Sequence, residues 1–226
     1  MAIIKKYQAK VEQIINPFQS IYTVTLSSDK KFQYLPGQFL HLALDEYDGA
    51  GQWPESRCFS MQSSPEEKNI KITFAVKGNF TTRMKNELYE GKEVWLKLPY
   101  GDLFQRNHDK KNCVFIAGGT GITPFLSLFN SEEFNEYSNP KIYLGFRSKE
   151  YNIYERELST IRNNSCDSSI IYEDVDGVLN INTIFNECGI KSTYFISGPP
   201  IMIKNFKKYL IDNGVHENKV ITDDWE

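Results

Sequence analysis

Cysteine is scarce in this chain, histidine is scarcer, and neither is spaced for metal chemistry. Cys58, Cys113, Cys166 and Cys188 stand far apart, whereas zinc and iron–sulfur sites draw their ligands from closely spaced pairs. No metal site is expected. Cys113 lies in an apolar run and Cys188 precedes Gly189, places that suit small buried hydrophobes. His41, His108 and His216 are scattered, with no zinc or triad spacing, so hydrolytic chemistry has little support. Long apolar runs are missing as well. Nowhere do about 18 apolar residues follow one another, as a spanning helix needs, and MAIIKKYQAK lacks a signal-peptide core, so the expected location is cytoplasmic. An excess of positive charge is also absent: 26 Lys and Arg face 29 Asp and Glu, for a net charge of −3, which excludes a chain built to wrap nucleic acid.

What the chain does have is two halves of different periodicity. Its 226 residues suit two small domains, each able to bury its own core. From Tyr7 to about Leu103, short alternating runs (QAKVEQII, SIYTVTLS, QFLHLAL, NIKITFAVK, KEVWLKLP) are punctuated by Asn16-Pro17, Pro36-Gly37 and Tyr100-Gly101. This pattern predicts five or six antiparallel strands in a small barrel, interrupted by one helix over 81–88. From about Lys111, apolar strands (CVFIA, KIYLGF, SSIIYED, TYFISG) alternate with helical stretches, which predicts a parallel sheet covered on both faces. The polar stretch QRNHDKK, 105–111, holds the boundary, giving domains of 1–107 and 108–226.

Chemistry is concentrated in a few short motifs. The run CVFIAGGTGITP, 113–124, joins an apolar strand, a glycine turn and a helix started by Pro124. Gly118, Gly119 and Gly121 allow a sharp turn whose N–H groups approach phosphate oxygens, as a dinucleotide pyrophosphate requires. The same residues also make an ordinary tight turn with no ligand. Arg57-Cys58-Phe59-Ser60 follows the third strand region, and Ser197-Gly198-Pro199-Pro200 closes the last recognisable strand. Beyond the glycine turn, the acid that often holds the ribose in NAD-specific folds is missing. Arg147-Ser148-Lys149 stands there instead, an edge better suited to a 2′-phosphate, so NADPH is preferred over NADH. Glu150 follows at once and narrows that preference.

These motifs, in this order, resemble the ferredoxin–NADP reductase family over nearly the whole chain, with PGQF at 36–39, LPYGDLF at 98–104 and the terminal TDDWE in support. The resemblance implies a six-stranded antiparallel FAD-binding β-barrel followed by a Rossmann-like parallel-sheet domain for NADPH or NADH. It implies hydride transfer to flavin and electron delivery to a separate acceptor: a ferredoxin, a flavodoxin, an oxygenase component or a small molecule. Arg57 would neutralise the flavin pyrophosphate, with Cys58 beside it, and Ser60 would hydrogen-bond near flavin N5. Phe59 stands where tyrosine is usual, keeping a ring for the flavin but losing a hydroxyl. Gly78, Thr81 and Thr82 look like the second flavin contact, although Thr81 or Thr82 would equally cap a helix. Thr120 and Thr123 would help hold the nicotinamide nucleotide, with Arg147 at its far end. Ser197 replaces the cysteine of many relatives, and Gly198 and Pro199 would wall the ring. Trp225 resembles the terminal aromatic that covers a flavin face, the alternative being a loose apolar tail. Lys204, Lys207 and Lys208 offer a weak basic patch for an acidic redox partner, or a solvated helix face. Two rival readings remain open: a reductase that uses free flavin as substrate, and a non-catalytic redox or nucleotide sensor.

Overall fold

The computed structural model describes residues 3–162 and 166–223. The chain forms two compact units, one of Met1–Asp102 with Leu126–Ser131 and one of Leu103–Phe125 with Glu132–Glu226. The first contains β1 (Lys5–Phe18), β2 (Ile21–Ser27), β3 (Phe39–Ala43), β4 (Ser56–Ser60), β5 (Ile70–Ala75), α1 (Asn79–Glu87) and β6 (Glu93–Tyr100). The strands make one sheet in the order β4-β3-β6-β1-β2-β5, with every pair antiparallel. Alternate residues of all six strands meet in a single core that includes Val11, Val24, Leu42, Phe59, Ile72 and Leu96. The sheet is therefore rolled. Its two edge strands approach through Phe59 of β4 and Phe74 of β5, edge to face at 6.2 Å, and through the Gln62 N–H donating to the Lys71 carbonyl at 2.8 Å.

Two elements differ from the sequence pattern. Asn16-Pro17 does not end β1, which runs on to Phe18 with a shift of register between Ile15 and Phe18, where a proline is tolerated. The turn comes at Gln19, in the left-handed region, and the Asn16 amide fastens it by donating to the carbonyls of Gln19 and Ile21 at 2.8 and 2.7 Å. The RCFS motif is itself a strand, paired with β3 in the register Phe39↔Ser60 and His41↔Cys58.

The second unit contains β7 (Cys113–Gly118), α2 (Thr123–Phe129), which its final residues share with the first unit, β8 (Lys141–Phe146), α3 (Glu155–Arg162), β9 (Asp167–Tyr172), α4 (Glu173–Asp176), α5 (Ile181–Cys188), β10 (Thr193–Ser197), α6 (Pro200–Asp212) and β11 (Val220–Thr222). Its sheet is parallel in the order β11-β10-β7-β8-β9. One face packs Val114, Ile116, Tyr194 and Ile196 beneath Ile184 of α5 and Ile203, Phe206 and Leu210 of α6. On the other face Phe115 stacks on Phe195, with centroids 5.1 Å apart, and Phe104 and Phe125 close round them. The apolar strands are thus covered on both sides, which is why they read as continuous apolar runs. β11 was not anticipated, because three residues carry no period. Among the described residues no helix is long and apolar enough to cross a membrane, and no three metal-ligating side chains gather.

Cys113 begins the central strand and is fully buried. Burial pushes its thiol up to about 12, because a thiolate there would lose its hydration. A folded-state pKa raised in this way contributes stability that is complete below the ordinary thiol value and is lost as pH rises through the folded one. The unfolding free energy, measured in reductant from about pH 8 to about pH 11, is expected to fall more steeply for the native chain than for Cys113→Ala. Equal slopes would show that this thiol titrates alike in both states.

Candidate functional site

In the first unit, Arg57 leaves β4 on the same face as Leu42 and reaches the start of α1, its guanidinium carbon 5.4 Å from the centre of the Phe80 ring. Phe80 is buried in the first turn of the nine-residue α1, so it anchors that helix start. Arg57 donates to the Ser56 carbonyl at 2.9 Å and meets Glu55 at 3.2 Å. Both groups are half exposed, and such a surface pair is weak. Glu55 is also approached at 3.6 Å by Arg83, which Asp45 (2.6 Å) and Glu87 (2.8 Å) hold more closely. The pairing with Arg83 holds the Asp45 carboxyl below its usual range. Arg57 is therefore the lightly held cation, placed where first-turn N–H groups of a helix lack intrahelical partners.

The two threonines divide unequally. Thr81 Oγ1 accepts from the N–H groups of Lys77 (2.9 Å) and Gly78 (3.1 Å) and donates to the Gly78 carbonyl at 3.0 Å. One proton and two lone pairs are all a hydroxyl has, so Thr81 is a capping residue with nothing left for a phosphate. Thr82 is exposed, and beside Gly78 there is open space. An arginine, a helix start and an open glycine fit a pyrophosphate.

Ser60 is nearly buried, and its hydroxyl makes no hydrogen bond among the described residues. The register sets it opposite Phe39, which pairs in turn with Tyr100 on the same face of the sheet. Phe39 and Tyr100 stack at 5.6 Å, and His41 meets Tyr100 edge-on at 4.6 Å. Phe59 lies on the opposite face, 9% exposed and packed into the core against Phe74. The expectation of a free Phe59 ring is thus corrected: alternation along β4 puts Ser60 and Phe59 on different faces, and the aromatic surface next to Ser60 is Phe39 with Tyr100. Cys58 shares Ser60's face, its Sγ 3.4 Å from His41 Nε2. Burial raises the thiol and lowers His41, which Lys97 also depresses, so neither is held ionised.

PGQF and LPYG meet in space. Gln38 Oε1 accepts from the Leu35 N–H at 2.8 Å while its Nε2 donates to the Gly101 carbonyl at 2.9 Å. Gly101 has φ +83° and lies where a Cβ would come within 3.0 Å of the Phe39 ring. This latch fixes Phe39 and Tyr100, residues that sequence reasoning placed in motifs without a role.

In the second unit the glycine turn follows β7 as a short 3-10 turn, Gly119–Ile122, before α2. Gly119 has φ +55° with open space around its missing Cβ. The requirement at Gly121 is different from the one expected. A Cβ there would lie 2.5 Å from the backbone of Gly198, so the glycine is needed for the approach of another turn, not of a phosphate. Gly118 likewise faces Pro199 and Met202, and Gly198 takes φ +145°. Motifs about 80 residues apart in sequence are thereby one piece of structure. Thr123 is buried and donates to the Thr120 carbonyl at 3.0 Å, whereas the half-exposed Thr120 hydroxyl has no hydrogen bond among the described residues. Ser197 is buried and donates to Asp223 Oδ2 at 3.0 Å, a partner held there by the Asp223 N–H donating to the Ile196 carbonyl at 2.9 Å. The overlap of TDDWE with VIT at Thr222 was the available signal for Asp223. Trp225 lies outside the described residues. On α6, Lys208 pairs with Asp212 at 2.6 Å and Lys207 approaches Glu217 at 4.0 Å, the pattern of a solvated face.

A family model described as an FAD-binding domain matches residues 4–144. Among curated relatives, the phenol hydroxylase P5 protein of Acinetobacter pittii (strain PHEA-2) is 25% identical, the match covering 98% of this chain and 66% of the relative. The propane 2-monooxygenase reductase component of Mycolicibacterium smegmatis is 26% identical over 85% of this chain and 59% of its own length. The chain thus spans less than two thirds of either. Among solved structures, the ferredoxin NADP+ reductase from Neisseria gonorrhoeae with bound FAD and NADP superposes with a TM-score of 0.76 at 18% identity, covering 95% of this chain and 93% of that one. The ferredoxin reductase in carbazole 1,9a-dioxygenase gives 0.77 at 20%, covering 97% and 69%. Both establish the two-unit fold.

The contact between Gly121 and Gly198 generates a direct test. Gly121→Ala is expected to cost roughly 1–3 kcal/mol in urea unfolding, as overpacking against backbone does. Gly119→Ala, with space but a left-handed φ, should cost about 1 kcal/mol. Equal, negligible losses would contradict the close approach of the two turns.

Proposed function

The chain belongs to the FAD-binding domain family, of the ferredoxin–NADP reductase-like kind, and on that premise we propose that it is an FAD-dependent NAD(P)H oxidoreductase. It takes a hydride from NADPH or NADH and passes electrons to a separate acceptor: a ferredoxin, a flavodoxin, an oxygenase component or a small molecule. Relatives named as reductase components of oxygenase systems favour an oxygenase component. The observation that carries this reading is Arg57 resting over Phe80 at the open start of α1. A lightly paired guanidinium beside a helix N-terminus suits the two phosphates of FAD, which a simple apolar flavin pocket would not require.

FAD, when bound, supplies the hydride-accepting and electron-donating chemistry, so the reading asks no catalytic acid–base pair of the described residues. The chain's own residues bind, orient and exclude water. Arg57, Gly78, Thr82 and the first turn of α1 hold the pyrophosphate, with Thr81 stiffening that turn from behind. Ser60 offers a hydroxyl able to donate or accept toward the flavin ring, and Phe59 and Cys58 fix the strand that carries it. Gly118, Gly119, Thr120 and Gly121 present the turn for the pyridine nucleotide, with Thr123 bracing it, while Gly198 and Pro199 limit the space for nicotinamide. Ser197, oriented by Asp223, supplies a fixed hydroxyl there. The same reading places the protein in the cytoplasm.

A second reading has one observation in its favour. With Thr81 committed to its own turn and phenylalanine in place of tyrosine at 59, few side-chain hydroxyls hold the flavin. That suits a reductase that releases flavin as a product, and flavin retention on gel filtration separates the two. The main test is direct. The purified protein should bind FAD, turn yellow and bleach anaerobically with reduced pyridine nucleotide. Arg57→Ala should weaken FAD binding, followed by flavin fluorescence, by roughly tenfold to a hundredfold, the range for a lost hydrogen bond to a charged group. Arg57→Lys should recover part of it. A folded protein that ignores FAD, or an Arg57→Ala variant that binds it unchanged, overturns the proposal.

A further inference from the structure

Four lysines converge from two segments of the first unit. Lys5 and Lys6 open β1, and Lys30 and Lys31 lie in the connection from β2 to β3. Three contacts lay that connection along β1. The Ser28 hydroxyl donates to the Gln8 carbonyl at 3.0 Å, Phe32 sets its ring 5.1 Å from that of the buried Tyr7, and the Lys5 ammonium donates to Gln33 Oε1 at 2.5 Å. Lys30 and Lys31, between these fastenings, join Lys5 and Lys6 in lining a cleft of about 570 Å³, completed by Tyr7 and Gln33. No carboxylate lines it.

Elsewhere the chain matches lysines with acids: Lys110 with Glu133 and Glu136, Lys141 with Glu187, and Lys208 with Asp212. The four at the cleft are exposed, and none makes an ion pair among the described residues. Where they are held, the partner is neutral. Lys5 has the Gln33 amide, and Lys6 has the Tyr47 hydroxyl, its ammonium 4.4 Å from the centre of that ring. The register brings a fifth cation alongside, since Lys6 stands directly opposite Lys97 on β6. Like charges so placed repel, and Lys97 settles on a ring as Lys6 does, 4.2 Å from the centre of Trp53. A chain of net charge −3 has acids enough to intersperse here, yet it places none in the cleft. A concave surface of one sign focuses its field and concentrates counter-ions. The volume is that of a small-molecule site, for which roughly 300–1,000 Å³ is usual. Lysine ammoniums, each with three donors on a flexible stem, suit the many oxygens of linked phosphates.

We propose that this cleft binds a small polyanion, a molecule carrying two or more linked phosphates. It shares no residue with the groups assigned to FAD or to the pyridine nucleotide, and it does not depend on the reductase reading. Calorimetric titration of the full-length protein with sodium tripolyphosphate should show saturable binding that weakens several-fold as salt rises from about 50 to about 200 mM. The double variant Lys30→Gln/Lys31→Gln should weaken it roughly tenfold or more, the scale of two lost charge-assisted hydrogen bonds. Lys191→Gln/Lys208→Gln removes the same charge from exposed lysines elsewhere, and it should leave binding within about twofold, as should Arg57→Ala. Both double variants alter exposed side chains, and urea unfolding checks that each is folded. ATP separates two sources of the same chemistry: tighter binding than tripolyphosphate assigns the cleft to a nucleoside polyphosphate, and equal or weaker binding to the inorganic chain. A hexaglutamate peptide that binds more tightly than tripolyphosphate, and is lost in Lys30→Gln/Lys31→Gln, overturns the proposal in favour of an acidic protein surface. Absence of saturable binding, or equal weakening by the two double variants, also overturns it and leaves the reductase reading untouched.

Discussion

The carboxyl edge of the second unit's sheet depends on one close approach, the backbone of Gly121 against that of Gly198. A side chain at either turn would force β7 and β10 to carry their turns apart, and Ser197 would then no longer sit between the glycine turn and Asp223. The constraint is steric and local, yet it decides where three strand ends present their polar groups. Once the turns interlock, the position of Thr120, the wall at Pro199 and the orientation of the Ser197 hydroxyl follow from strand register and need no further tuning.

The first unit solves a similar problem with a side chain. Gln38, buried, holds the carbonyl of Gly101 and the N–H of Leu35 at once, so that two loops fix the rings of Phe39 and Tyr100. Arg57 is held only at the surface. Its weak pairing with Glu55 contrasts with that of Arg83, which three carboxylates hold. Of two arginines near the same helix, the heavily paired one ties the helix to the loop of Asp45, and the lightly paired one is the one proposed for the flavin pyrophosphate. That division could not be assigned from sequence, because the acid that holds Arg83 most closely, Asp45, is 38 residues away in the chain, whereas Arg57 has Glu55 two residues before it.

Much of the architecture was legible because it rests on periodicity. Alternation in IYTVTLS and in EVWLKLP marks half-buried antiparallel strands, and unbroken apolar runs such as CVFIA mark strands covered on both faces. What escaped is equally instructive. β11 is too short to show a period, and Asn16-Pro17 mimics a turn because nothing local reveals a register shift on the pairing strand. Glycine motifs announce that a Cβ is intolerable without saying what would collide with it. At Gly121 it is Gly198, and at Gly101 the ring of Phe39. Hydroxyls were least legible of all: Thr81 and Thr82 are indistinguishable in sequence, and only the hydrogen bonds show that the first is spent on its own turn.

The same lesson applies to charge. RSKE after β8, taken as a string, is a basic edge with one acid at its end. In the folded sheet its neighbour is EDVD after β9, a segment 26 residues on that parallel pairing sets directly alongside. Parallel sheets place the ends of successive strands together, so the electrostatics of a nucleotide edge belong to pairs of loops and not to any one of them. The hydrogen bond from Ser148 to Glu150 commits the serine hydroxyl of this segment to its own acid. A serine and an arginine are informative about a phosphate only when their donors point outward. Here the serine is occupied by Glu150 and the arginine lies over a tyrosine ring.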